Sequence, residues 1–169
     1  MFNFTNKKAV LTKAQLPLLV LSLAPIYLYG TDLSGFFRVE QTTPVVLPIT
    51  AQAIFGDKAI KLEESKNILS HKIGLTHRSD IAPDRGMLYE TTTPLSFSGK
   101  GMEFATDLIF IKGDRVVGLY ANIEPCTEKC INYSLPQKYD VVMEVKAGTV
   151  DKLGIKNDTQ VKIDYTLEK

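Results

Sequence analysis

The chain has 169 residues, of which 44% are hydrophobic and 23% are charged, a composition that supports one folded domain with an additional segment. The formal net charge is +1 and the sequence pI is about 7.7. This balance argues against the strongly basic surface that nucleic-acid-binding domains usually carry, so we expect no nucleic-acid partner.

Residues 1–30 predict a membrane anchor. Lys7, Lys8 and Lys13 precede an apolar run from Ala14 to Gly30. At 1.5 Å per residue the run extends roughly 25 Å, close to the ~30 Å hydrocarbon core of a bilayer. Basic residues before such a run and tyrosines at its end are typical of a membrane-spanning helix. The residues expected to form the anchor are Leu16, Leu19, Val20, Leu21, Leu23, Ile26, Tyr27 and Tyr29.

Two alternatives stay open for this run: a cleaved signal peptide, and a buried helix of a soluble protein. The bulky residues before Gly30 make a poor cleavage site. Residues 31–48 contain two prolines and little periodicity, which predicts a linker. Within it, Phe36 and Phe37 are placed at the level of the lipid headgroups.

Residues 49–169 predict a β-rich domain. Gly56-Asp57 lies between the strand-like segments ITAQAIF and KAIKLE and predicts a tight hairpin. A second hairpin is predicted in IFIKGDRVVGLY, with its turn at Lys112-Gly113-Asp114. The segments GMLYE and YDVVMEVK predict further strands, and the latter sets Val141, Met143 and Val145 against Val142, Glu144 and Lys146.

Two short helices are predicted within this domain. In ESKNILSHKIGL, Ser65 is the expected N-cap, Gly74 the expected end, and the apolar side consists of Ile68, Leu69 and Ile73. In AGTVDKLGI, the expected cap is Thr149 and the expected end is Gly154. The predicted fold is mainly β, a compact antiparallel barrel or rolled sheet with two short helices, preceded by one transmembrane helix.

Four segments occur in a recognisable order: KLEESKNILSHKIGLTHRSDIAPDRGML, PLSFSGKGMEFATDLIFI, RVVGLYANIEPCTEKC and MEVKAGTVDKLGI. Together they resemble the bacterial and archaeal family known as domain of unknown function 192, over about Ile49 to Tyr165. The cysteine-containing loop looks most like cyanobacterial versions. The resemblance implies a β-rich single domain that is often exported and whose biochemical role is unsettled.

The middle motif of that family typically reads Phe-Trp-Met-Lys-Asn, followed a few residues later by Leu-Asp. This chain keeps Phe97, Lys100 and Asp107, and it also keeps the family's Arg78. It departs by having Ser98 for tryptophan, Gly99 for methionine, Gly101 for asparagine and Thr106 for leucine. An aromatic wall and an amide are typical of ligand pockets, so we interpret these changes as leaving a flexible turn in an enlarged or, by preference, a lost pocket.

Asp107 lies within an apolar strand, and two interpretations stay open. It is a base or ligand anchor paired with Lys100 or Arg78, or, by preference, it forms a structural ion pair or caps backbone amides. Cys126 and Cys130 predict a disulfide across a short loop, with a redox or metal role as the alternative. His71 and His77 do not have the spacing of metal ligands, so no metal and no cofactor is expected.

The predicted function is that of a non-catalytic, membrane-anchored accessory or binding protein. We expect its partners to be the lipid bilayer and a larger membrane complex, with the domain facing the periplasm or thylakoid lumen from a bacterial inner or thylakoid membrane. The alternative is an exported small-molecule-binding protein or enzyme with a pocket around Lys100, Asp107 and Arg78. The candidate contact residues are Arg78, Phe97, Ser98, Gly99, Lys100, Gly101 and Asp107.

Overall fold

The computed structural model of the chain describes residues 43–165. These residues belong to one compact unit, Gln41–Lys169. The predicted anchor, residues 1–30, and residues 31–42 of the predicted linker lie outside the described residues. Between residues 43 and 165, no helix has the length and apolar character needed to cross a membrane.

The described chain forms one seven-stranded sheet and two short helices, which confirms a mainly β fold. The strand order in the sheet is β5-β4-β6-β3-β2-β1-β7. In chain order the elements are β1 (Ile49–Phe55), β2 (Lys58–Ser65), α1 (Ile68–Ile73), β3 (Arg85–Glu90), β4 (Thr106–Lys112), β5 (Arg115–Ile123), β6 (Val141–Lys146), α2 (Thr149–Leu153) and β7 (Lys162–Asp164).

The sheet is open, so of the two predicted arrangements, a barrel or a rolled sheet, the closed barrel is wrong. A closed barrel requires its outermost strands to pair along their length, whereas β5 and β7 occupy the two edges of this sheet. In the described part of the chain, the start of β5 meets the segment before β7 through an isolated bridge between Arg115 and Gln160 and through backbone hydrogen bonds such as the one from the Val116 amide to the Thr159 carbonyl. The sheet is also mixed, because β2 and β3 pair in parallel while the other strand pairs are antiparallel.

Both predicted hairpins are present. Gly56 turns the chain between β1 and β2 with φ of 60°, and Gly113 does so between β4 and β5 with φ of 59°. A positive φ is unfavourable for residues other than glycine, asparagine and aspartate. The local sequence therefore determines where these two turns form.

Apolar side chains cover both faces of the sheet. The first core includes Leu88, Ile109 and Met143 together with Val150 of α2. The second core, on the other face, includes Met87, Tyr89, Leu108, Phe110 and Val142 from the strands, and Leu75, Ile81 and Met102 from the loops that cover them. Since burying one such side chain contributes roughly 1.5–3 kcal/mol, the central strands are stabilised from both sides.

Helix α1 differs from its prediction in two respects. Its N-cap is Asn67, whose side chain accepts a 2.9 Å hydrogen bond from the Ser70 amide, while the expected cap, Ser65, is the last residue of β2. The expected apolar side is also wrong, because Ile68 and Leu69 are 89% and 53% exposed. The helix ends at Gly74, as predicted.

Helix α2 begins one residue earlier than predicted. Its N-cap is Gly148, with φ of 85°, and the expected cap, Thr149, is the first residue of the helix. The hydroxyl of Thr149 instead donates a 2.6 Å hydrogen bond to the carbonyl oxygen of Lys146. Gly154 ends the helix in a left-handed conformation, as predicted.

Candidate functional site

Two glutamates are buried on the face of the sheet that carries the second core. Glu63 of β2 is 1% exposed and Glu144 of β6 is 6% exposed. Glu63 pairs with Met87 of β3, and Met87 pairs with Glu144, so the acids occupy one row across three strands. Directly paired residues point to the same face of a sheet. A buried carboxylate is unfavourable without compensating partners, so the partners of each glutamate define its role.

Glu63 is neutralised by Arg78. The Nη1 and Nη2 groups of Arg78 donate hydrogen bonds of 2.9 and 2.7 Å to Oε1 and Oε2 of Glu63. The Arg78 Nε group also donates to the carbonyl oxygen of Val45, at 3.0 Å, and the Leu47 amide donates to Glu63 at 2.7 Å. The predicted contact residue Arg78 therefore links the backbone at Val45, which precedes β1, to Glu63 of β2.

Asp107 caps backbone amides. Its side chain is completely buried, Oδ1 accepts a 2.8 Å hydrogen bond from the Asn122 amide, and Oδ2 accepts a 2.9 Å hydrogen bond from the Val150 amide. Of the interpretations drawn from the sequence, capping is the one that these contacts support. The carboxylate ties β5 and the start of α2 to β4.

The structure does not bring Arg78, Asp107 and Lys100 together. Asp107 pairs with Val145, a residue of the first core, whereas the partner of Arg78, Glu63, lies on the face of the second core. Lys100 lines a cavity whose walls include neither of the other two residues.

Glu144 has hydroxyl groups as its partners. The Tyr89 hydroxyl donates a 2.8 Å hydrogen bond to Oε2, and the Thr106 hydroxyl lies 3.4 Å from Oε1. Within residues 43–165, no cationic group forms an ion pair with Glu144. This second buried acid is therefore compensated by neutral donors.

Burial raises the pKa of Glu144 above its ordinary value of 4.5, while hydrogen bonds from Tyr89 and Thr106 and the more distant charge of Arg78 oppose that rise. The pKa of Tyr89 is also raised, first by burial and second by the negative charge of Glu144. Both groups therefore favour their uncharged forms more strongly than they would in water, a property that is frequent in functional clefts.

Two rings hold the ring of Tyr89 in place. His71 contacts it edge-on at a centroid distance of 5.6 Å, and Phe97 does so at 5.1 Å. His71 Nε2 lies 2.8 Å from the Ser65 carbonyl oxygen, which can only accept, so this nitrogen carries the hydrogen. The Tyr89 hydroxyl is thereby oriented toward Glu144.

Glu144 and Tyr89 form part of the wall of a cavity of about 130 Å³, which we call the Glu144 cavity. Helix α1 and the residues after it line one side, and the segment from Ser96 to Lys100 lines another. Larger grooves of about 620 and 720 Å³ lie elsewhere, but neither includes a buried carboxyl. The wall of the Glu144 cavity consists of His71, Lys72, Ile73, Gly74, Leu75, Thr76, Tyr89, Ser96, Phe97, Ser98, Lys100, Met102 and Glu144.

Local backbone geometry explains why glycine occupies two positions of the turn formed by Ser98, Gly99, Lys100 and Gly101. A Cβ atom on Gly99 would overlap the Glu124 carbonyl oxygen, and Gly101 has φ of 77°. The Gly99 carbonyl accepts the Cys126 amide at 2.9 Å, and the Gly101 carbonyl accepts the His77 amide at 2.9 Å. These glycines therefore fit an ordered turn between two neighbouring segments, in contrast to the flexible turn that the substitutions suggested.

The predicted disulfide between Cys126 and Cys130 is present, with a Cα–Cα distance of 5.6 Å. Its first cysteine forms an isolated bridge with Lys100. The disulfide loop therefore supports the segment that lines the Glu144 cavity. In the described part of the chain, no group of three histidine, cysteine or acidic side chains is arranged to hold a metal ion.

The most informative residues, Glu144 and Tyr89, were not among the predicted site residues. Of the predicted residues, Phe97, Ser98 and Lys100 do line the Glu144 cavity. The signal for Glu144 was an acid inside an otherwise apolar strand, the same signal that singled out Asp107.

Comparison with known proteins identifies the family. Residues 50–163 match DUF192, described as Uncharacterized ACR. The chain belongs to this family. The match confirms the resemblance found in the sequence and, like the family's description, assigns no activity. No curated protein matches the chain.

Two solved structures are similar to this chain in fold. One is a Sinorhizobium meliloti 1021 protein described as a candidate transcription regulator, with 23% identity, a TM-score of 0.59, and coverage of 70% of this chain and 97% of that one. The other is a protein of unknown function from Novosphingobium aromaticivorans DSM 12444, with 23% identity, a TM-score of 0.61, and coverage of 71% and 92%. At this identity the likeness establishes the fold alone.

Proposed function

We propose that this DUF192 protein is a non-catalytic binding protein that takes a small ligand in the Glu144 cavity. The observation that carries the proposal is the buried carboxyl of Glu144 at the wall of that cavity, compensated by hydroxyl groups and by no ion pair among residues 43–165. Convergent polar groups in a concave site with perturbed titration are typical of ligand recognition.

The hydrogen bonds favour binding over catalysis. Tyr89 and Thr106 orient the two oxygens of Glu144, and His71 donates to a backbone carbonyl. A general base acts on a nucleophile or on a substrate proton within hydrogen-bonding reach. In this arrangement the carboxyl of Glu144 and the imidazole of His71 are both fixed by hydrogen bonds to other groups of the protein. A fixed polar group favours recognition of a ligand over proton transfer to a substrate.

A cavity-blocking variant tests the proposal. Ser98 lines the cavity where the family resemblance places a tryptophan, so Ser98→Trp should fill it, while Ser134→Trp at an exposed position serves as the matched control. The full chain, purified in mild detergent, is screened by thermal shift against a library of small metabolites. We expect at least one compound to raise the Tm of the native protein and of Ser134→Trp but not of Ser98→Trp. The proposal fails if no compound does so.

A second proposed role is that of an accessory subunit of a larger membrane complex, anchored through residues 1–30. The supporting observations are three exposed apolar side chains: Ile68 and Leu69 in α1, at 89% and 53%, and Ile131 beside the disulfide loop, at 67%. Exposed apolar side chains are candidates for burial against a partner.

Native gel electrophoresis of membranes solubilised in mild detergent, followed by mass spectrometry, tests this role. We expect the chain to migrate with a large complex and a variant with Ile68→Gln and Leu69→Gln to be released from it. Lys58→Gln, at an exposed position of the first hairpin, is the control. Migration of the native chain at its own mass of 18.8 kDa plus detergent contradicts the role.

The disulfide supports an oxidising location for the domain, facing the periplasm or the thylakoid lumen, since disulfides are rare in reducing compartments. In intact cells or thylakoids treated with a membrane-permeant alkylating reagent, we expect Cys126 and Cys130 to stay unmodified. Modification of both cysteines without prior reduction contradicts this location.

A further inference from the structure

The charged groups of the Glu144 cavity are not paired with one another. Lys72 and Lys100 line the cavity and belong to exposed positions, whereas Glu144 is buried. In residues 43–165, neither lysine forms an ion pair. The cavity therefore combines an inner acidic group with two outer ammonium groups.

This arrangement disfavours ligands that carry a single charge. A simple cation bound at Glu144 would share the cavity with the positive charges of Lys72 and Lys100, and a simple anion held by the lysines would share it with a buried carboxylate. Like charges at short distance are unfavourable, and more so where water is excluded. A ligand with a positive inner end and a negative outer end satisfies both sets of charges.

The aromatic wall suits the positive end of such a ligand. Tyr89 and Phe97 both line the cavity, and their rings contact each other at 5.1 Å. Aromatic rings favour nearby ammonium groups, most strongly where the group is desolvated. Glu144 and the partly exposed ring of Phe97 thus offer charge and polarisable surface to the same group, while Tyr89, which is 1% exposed, donates its hydroxyl to Glu144.

The size of the cavity limits the ligand. At about 130 Å³ it lies well below the ~300 Å³ at which pockets for drug-sized molecules begin. The ligand is therefore of the size of a small amino acid, with no room for a nucleotide or an oligosaccharide inside the cavity.

We propose that the Glu144 cavity binds a small zwitterion, an amine that also carries a carboxylate, with its ammonium group on Glu144 and its carboxylate on Lys100. This inference rests on the proposed binding function and names the class of its ligand. Charge-assisted hydrogen bonds at both ends supply the selectivity.

Isothermal titration calorimetry on the full chain in mild detergent tests the inference. The probes are glycine, L-alanine and β-alanine as zwitterions, methylamine as a cation and acetate as an anion. We expect at least one zwitterion to bind roughly tenfold or more tightly than methylamine and acetate. Glu144→Gln and Lys100→Met should each weaken that binding by about tenfold, and the exposed control Lys58→Met should leave it unchanged.

Each other outcome overturns the inference in a distinct way. Equal binding of acetate that is insensitive to Glu144→Gln identifies an anion site, and equal binding of methylamine that is insensitive to Lys100→Met identifies a cation site. In both cases the proposed binding function survives. If no zwitterion binds while an uncharged compound from the metabolite library does, the ligand class is wrong. If nothing binds at all, the proposed function fails together with the inference. Because Lys100 is exposed, Lys100→Met keeps the test decisive if Glu144→Gln does not fold.

Discussion

Arg78 and Glu63 form a buried bidentate ion pair, with Nη1–Oε1 and Nη2–Oε2 distances of 2.9 and 2.7 Å. The side chains are 7% and 1% exposed. Buried pairs of this kind combine a large desolvation cost with a strong attraction, so the consequence of a substitution depends on whether one partner or both are removed.

Removing one partner should destabilise the domain strongly. We expect Arg78→Met or Glu63→Gln alone to lower the free energy of unfolding by about 3–5 kcal/mol, because a buried charge or a set of donors loses its partner. The combined variant Arg78→Met with Glu63→Leu should recover part of that loss. Urea denaturation measures each effect, and Lys61→Met, which removes an exposed ion pair with Asp84, should change little. Equal effects of the buried and exposed substitutions would sink this prediction.

Glu144 should make the stability of the domain depend on pH. Burial raises its pKa in the folded protein above 4.5, so the folded state binds the proton more tightly than the unfolded state. The resulting stabilisation is complete below about pH 4.5 and is lost as the pH rises through the folded-state pKa. Glu144→Gln stays neutral, so this decline should disappear from its profile of unfolding free energy against pH. The exposed control Glu103→Gln should keep the decline, and a Glu144→Gln profile parallel to the native one would contradict the prediction.

Asp107 should be needed as an acceptor for two backbone amides. Asparagine offers one acceptor oxygen and an amide group that cannot accept from an N–H donor. We therefore expect Asp107→Asn to lower the free energy of unfolding by about 1–3 kcal/mol and to speed hydrogen exchange at the amides of Asn122 and Val150. Asp151→Asn, at an exposed position of α2, is the matched control. Unchanged exchange at both amides would show that Asp107 does not hold them.

The disulfide should matter for the turn beside it more than for global stability. A loop this short restricts the unfolded chain little, so we expect reduction by a dithiol to cost less than about 2 kcal/mol. Hydrogen exchange at the Cys126 amide, which donates to the Gly99 carbonyl, should become faster. An unchanged rate at that amide after complete reduction would show that the turn is independent of the disulfide.

A second probe of the same contact is Gly99→Ala, which should destabilise the domain more than Gly118→Ala does. The new methyl group of Gly118→Ala meets the movable side chain of Leu135.

Local signals were sufficient for the hairpins and insufficient for the sheet. Gly56 and Gly113 mark their turns because the backbone there requires a positive φ, and a turn involves only neighbouring residues. The parallel pairing of β2 with β3 and the place of β6 between β3 and β4 depend on contacts distant in sequence. The predicted barrel failed at that level, since strand segments alone do not determine which of them lie at an edge.

The same limit explains why Glu144 was missed while Asp107 was found. Because side chains alternate along β6, Glu144 and Met143 point to opposite faces, which is the pattern of a strand with one face exposed to water. Because β6 is central and both faces are covered, the strand is buried from Val141 to Val145. Asp107 stood out because a run of four apolar residues, from Leu108 to Ile111, follows it directly. In α1, the apolar residues Ile68 and Leu69 were assigned to the buried side, but both are exposed.

The hydrogen bonds of Arg78 and Glu63 to the backbone at Val45 and Leu47 also determine how the domain carries mechanical load. A pulling force applied to the chain upstream of Thr43 reaches the folded domain first at these two residues. The ion pair of Arg78 and Glu63 transmits it to β2 at the position that pairs with Ile49, the first residue of β1. Tension from that side is thus borne by a buried ion pair at the residue that faces the start of β1.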